Sequence, residues 1–69
     1  MTPDEISDLF EYHAPTPEQT ERIIAVRAAL KEACAALVAH VPPSAMRTLA
    51  IRKLEETSMW ANKAIVFEK

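Results

Sequence analysis

Tyr12 and His13 stand just before a Pro15-Thr16-Pro17 turn, and Arg27 stands further on, on an otherwise apolar helical face. An aromatic ring beside a rigid turn can be held with one side open, which suits stacking on a purine. A guanidinium presents a fork of N–H donors that matches a phosphate. Together they supply what a nucleotide requires, a π-face for the base and a cation for the phosphate. Each also has a plainer reading. Phe10, Tyr12 and His13 can staple a first helix onto the rest of the fold. Arg27 can snorkel past Ile23 to solvent or pair with a carboxylate, since an unpaired buried guanidinium is costly.

The remaining reactive side chains fit other chemistries poorly. Cys34 falls within about 20° of the centre of an apolar helical stripe, with no His on that face to activate it. It reads as a buried structural thiol. His13 and His40 flank opposite ends of one helix, and neither has a Cys or carboxylate at a ligand spacing, so no metal site is expected. Asp4-Glu5 and Glu55-Glu56 are adjacent pairs, whose helical side chains point ~100° apart and cannot converge on one substrate atom. Glu56 is spaced to pair weakly with Arg52 or Lys53. Trp60 reads as a core or interface anchor, with a ligand platform as the alternative. No set supports acid–base or nucleophilic catalysis, so the chain is expected not to be an enzyme and to need no cofactor.

Three helices must position these residues. Thr2-Pro3-Asp4-Glu5 is a helix start, and Ile6, Leu9 and Phe10 share one face of a helix over about 3–11. Thr16-Pro17 with Gln19 opens a second helix over about 17–40. In it Ile23, Leu30, Cys34, Leu37 and Val41 repeat at close to seven residues, and Arg27 lies about 40° from the stripe's centre. Val41-Pro42-Pro43 ends it, and Ser44 caps a third helix over about 44–67. The expected fold is all-α: a short helix, then a long antiparallel hairpin closed by a tight Pro-Pro turn, in one domain over 1–69.

Size and composition narrow the rest. The chain has 69 residues with 8 Lys and Arg against 10 Asp and Glu, a formal charge of -2. Phosphate-driven DNA or RNA binding needs a basic excess that is missing. Glycine is absent, which excludes Gly-rich phosphate loops and nucleophile elbows. A single Cys cannot close an intrachain disulfide, so a reducing compartment fits. No stretch approaches the ~20 apolar residues of a membrane span. The start is acidic where a signal peptide is basic, so a cytosolic location is expected. The apolar positions of the third helix, from Met46 and Leu49 through Ile51 and Trp60 to Ile65 and Phe67, spread over roughly 200°, twice what one partner helix covers, and Met59 lies further round on the otherwise polar side. Either the first helix folds back over the remainder or a second copy does. A core this small favours self-association.

Phe10-Glu11-Tyr12-His13-Ala14-Pro15 and Leu54-Glu55-Glu56-Thr57-Ser58-Met59-Trp60-Ala61-Asn62-Lys63-Ala64-Ile65 carry a resemblance over nearly the whole chain. They look like the F-x-Y-H-x-P and L-E-E-x-x-M-W-x-N-x-A-I patterns of the phage anti-CBASS cyclic-nucleotide sponge family (anti-CBASS protein two). The second pattern is the more specific. The resemblance implies a helical homohexamer in the cytoplasm of an infected bacterium. It would bind cyclic dinucleotides such as 3′,3′-cGAMP between protomers and sequester them uncleaved, so that CBASS effectors stay inactive. It implies that Tyr12 stacks on a base and that a second-helix cation contacts a phosphate. Arg27 aligns there, where Lys is usual, and the change keeps the charge while altering donor geometry. His13 is expected to shape the pocket, with Lys31 or Arg22 adding local positive charge. Family members also take cyclic trinucleotides at a second site that uses a basic residue near the C-terminus. At about Phe67, where an arginine is expected, this chain reads Phe67-Glu68-Lys69. The departure counts against that site, and Lys69 would have to substitute. The reading from another class is a small oligomeric helical scaffold or adaptor that binds a host protein through the broad face of the third helix.

Overall fold

The computed structural model describes residues 1–68 and contains three helices: α1 (Pro3–Phe10), α2 (Pro17–His40) and α3 (Ala45–Val66). Each start follows from side chains that satisfy otherwise orphaned N–H groups. At α1, Thr2 Oγ1 accepts from the Glu5 N–H at 3.2 Å. At α2, Thr16 Oγ1 accepts from the Gln19 N–H at 3.1 Å while Gln19 Oε1 accepts from the Thr16 N–H at 2.9 Å, a reciprocal box. At α3, Ser44 Oγ accepts from the Arg47 N–H at 3.1 Å. Pro3 and Pro17 fill first-turn positions where no N–H is needed.

The ends have local causes too. Glu11 turns extended and closes α1, and its N–H donates to Ser7 O at 2.9 Å. Val41 turns extended ahead of Pro42, as a residue before proline must. The turn is braced by Arg47, whose Nη1 donates to Val41 O at 3.2 Å, and by Ser44, whose hydroxyl donates to Pro42 O at 3.2 Å. Phe67 caps α3, its N–H donating to Lys63 O at 3.0 Å.

Among the described residues, α2 and α3 are the only helices that pack along each other. Ile23, Val26, Leu30, Cys34 and Leu37 of α2 turn their half-buried or buried sides toward Ala50, Ile51, Leu54, Ser58, Ala61 and Ile65 of α3. Ile23 is the sole buried side chain described, at 7% exposure. α1 does not fold back along the hairpin. The far margins of α3 therefore stay open: Met46, Leu49 and Met59 are exposed, and Trp60, at 62%, is no core anchor within one chain. Cys34 is also corrected by this geometry. It is half-buried along a groove, because two helices have no third layer to cover that side.

The resulting body is thin, 48 × 27 × 14 Å, with a radius of gyration of 15.6 Å. A globular chain of this length has about 11 Å. Its accessible surface is 5570 Å², against roughly 4,300 Å² for a compact monomer of this mass.

Candidate functional site

The linker between α1 and α2 is held from three sides. The Ser7 hydroxyl donates to the Glu11 carboxylate at 2.6 Å, tying the linker's start to α1. His13 Nε2 lies 2.6 Å from Asp8 O. A carbonyl only accepts, so this nitrogen carries the hydrogen. The other side of the imidazole meets the Phe67 ring, with centroids 4.2 Å apart and planes tilted by 38°. His13 thus bridges the last turn of α1 and the cap of α3. The staple expected of the whole aromatic group is supplied by His13 alone: Tyr12 is 88% exposed and Phe10 84%.

This arrangement borders an open cleft of about 450 Å³ lined by Tyr12, His13, Ile23, Arg27, Asn62 and Lys63, with Leu9, Glu11, Pro15, Val66 and Phe67 completing it. The volume lies within the range of small-molecule sites. Tyr12 and His13 of the linker and Arg27 of α2 are brought to one concavity. Arg27 is exposed, and among the described residues it has neither a carboxylate nor a carbonyl partner. It also borders a neighbouring groove of about 210 Å³ between α2 and α3, with Leu30, Lys31, Cys34 and Ile51. Lys31 belongs to that groove and not to the cleft. Asn62 Oδ1 is buried without a hydrogen-bond partner, an acceptor left over beside the cleft.

Arg22 does not add positive charge here. Its guanidinium lies 2.7 Å from Glu18 Oε1 and also grips the Glu68 carboxylate, with Nη1 donating to Glu68 Oε2 at 3.1 Å. These bonds, the one to Glu68 first and Glu18 second, raise the Arg22 pKa further above its ordinary value. The same contact, helped by Gln19, holds the Glu68 carboxyl below the usual carboxylate range. Gln19 Nε2 also donates to Ile65 O at 3.0 Å. Phe67 and Glu68 are therefore engaged in closing the hairpin. Phe67 packs on His13, Glu68 neutralises Arg22, and Lys69 lies outside the described residues.

Asn62 and Lys63 were missed as cleft residues by sequence reasoning. Asn62 sits in the more specific of the two motifs, which was its available signal. Lys63 had a local one, since Trp60 and Phe67 lie three and four residues from it on the same helical face, but its place in the cleft depends on the linker from outside α3.

Fold and cleft define a class: a two-helix hairpin that uses its short leading helix and linker to hold an exposed aromatic opposite an unpaired arginine. Within that class, the chain belongs to the Acb2/Tad1 hairpin family, whose family model (Acb2/Tad1, hairpin domain) matches residues 3–66. No curated protein and no solved structure matches the chain. No described helix is long and apolar enough to cross a membrane.

Proposed function

We propose that this protein is a phage-encoded sponge that binds cyclic dinucleotides such as 3′,3′-cGAMP and holds them uncleaved, so that CBASS effectors are not activated. The observation that carries this reading is the convergence of exposed Tyr12 and unpaired Arg27 on one cleft. Tyr12 stacks on a base, Arg27 donates to a phosphate, and His13 fixes the linker that presents Tyr12. Family membership supports the ligand class.

Binding without turnover works by mass action: each messenger held is withdrawn from its effector, which requires tight sites and slow release. The excess surface and the exposed Met46, Leu49, Met59 and Trp60 support assembly with further copies, a homohexamer by resemblance. The cleft would then be completed by a second protomer. The setting is the cytoplasm of the infected bacterium.

Isothermal titration with 3′,3′-cGAMP tests the reading. The expected result is submicromolar binding, clearly weakened in Tyr12→Ala and in Arg27→Ala with assembly retained, and intact messenger recovered on denaturation. The same exposed face of α3 favours one rival, a scaffold that docks a host protein. On that reading no cyclic di- or trinucleotide gives heat, and Tyr12→Ala has no ligand to lose.

A further inference from the structure

We infer that Lys63 is a second anion contact of the Tyr12–Arg27 cleft, so that two fixed cations face a ligand with two phosphates. The inference rests on the cyclic-dinucleotide reading and adds to it a residue that neither the aromatic–Pro motif nor the apolar stripe identified.

The distribution of cations carries the argument. Arg22 is paired with Glu18 and Glu68, Arg52 with Glu55 and Lys53 with Glu56, while Arg47 donates to the Val41 carbonyl. Among the described residues, the cations without such partners are Arg27, Lys31 and Lys63, and each lines a concavity. Arg27 and Lys63 share the large cleft, where Glu11 is the one carboxylate, already accepting from Ser7. That corner is therefore locally positive on a chain whose net charge is -2.

Lys63 is also held in place without being neutralised. Its Nζ lies 5.4 Å from the Phe67 ring centroid and 5.7 Å from that of Trp60. Two ring faces attract an ammonium but take none of its charge and need none of its three N–H donors in a carboxylate bond. Phe67 is itself fixed by the His13 ring. The contact that orders the Tyr12 linker thus also orders the surface on which Lys63 rests. A plainer role exists, since a cation in the last turn of α3 complements the helix dipole. That role affects stability and does not depend on ligand.

The test is titration of 3′,3′-cGAMP into wild type, Arg27→Ala, Lys63→Gln and Lys63→Arg, at low salt and at about 0.5 M salt, with melting temperatures measured in parallel. The expected result is an affinity about tenfold weaker for Lys63→Gln at low salt. The difference should narrow at high salt, where solvent-exposed charge contacts are screened, and Lys63→Arg should restore most of it. Unchanged affinity for Lys63→Gln, with Arg27→Ala impaired, overturns the inference and leaves the sponge reading standing. A loss that is equal at both salts and tracks a fall in melting temperature assigns Lys63 a structural role and also overturns it. Absence of binding to the wild type defeats both.

Discussion

The two ends of the α2–α3 hairpin are closed by different means. At one end the chain itself does the work: Val41-Pro42-Pro43 restricts the backbone, and Arg47 and Ser44 satisfy the carbonyls of the turn. At the other end no peptide links the helices, and side chains must hold them. Gln19, Arg22 and Ile23 from α2 meet Ile65, Phe67 and Glu68 from around the end of α3, with His13 laid across. Only this side-chain-closed end borders the large cleft. A covalent turn leaves little to present to a ligand, whereas an end built from side chains can hold some polar groups paired and leave others free. Arg22 and Arg27 embody that division on one helix: the first is spent on closure and the second is left over.

The comparison breaks most visibly if the buried side of the open end is removed. Ile23→Ala should cost about 2–4 kcal/mol of stability in denaturant titration, because Ile23 is the one buried side chain among the described residues. If the turn end alone held the hairpin, the cost would be far smaller. Arg27→Ala comes next, with cyclic-dinucleotide affinity weaker by about 10- to 100-fold in calorimetry and little change in melting temperature. Tyr12→Ala should cost about 1–3 kcal/mol of binding, the worth of one stacked base, again without unfolding. Arg22→Ala is expected to behave in the opposite way, lowering melting temperature while leaving affinity nearly intact.

Glu68→Gln sharpens the contrast through pH. The Glu68 carboxyl is held below the usual carboxylate range by Arg22 and then Gln19. Its stabilising contribution is therefore present above the unfolded-state pKa and is lost as pH falls through the lower folded-state value. Wild type should melt slightly above Glu68→Gln at neutral pH, and the two curves should merge in acid. The smallest effect belongs to Arg52→Ala. Its exposed pair with Glu55 should be worth no more than about 0.5 kcal/mol in either assay.

The helix starts were legible in the sequence because their causes are local. Thr2, Thr16 and Ser44 cap within three residues of themselves, and the prolines fix where backbone hydrogen bonding stops. The fate of α1 was not legible. Ile6, Leu9 and Phe10 share a face whether or not that face finds the hairpin, and only the three-dimensional path of the linker decides it. Tyr12, His13 and Arg27 were singled out from residue type and position, and their meeting in one cleft follows from the linker folding back beside α2. The neutralisation of Arg22 escaped notice because its partner Glu68 lies past the end of another helix. Lys63 escaped because the cleft it borders is completed by residues from outside α3, and Cys34 was placed too deep because an apolar stripe does not reveal how many layers will cover it.

Gln19 carries one more consequence. Its Oε1 completes the α2 capping box, and its Nε2 donates to Ile65 O and, at 3.3 Å, to Glu68 Oε1. A glutamate serves a capping box as well as a glutamine does, so the start of a helix, taken alone, accepts either letter. Here the carboxylate would set a negative oxygen against a carbonyl and a second carboxylate. The far end of the fold thereby narrows the choice of residue at the first turn of α2, and a drift to glutamate, silent by local rules, would be tolerated only with a matching change at Glu68.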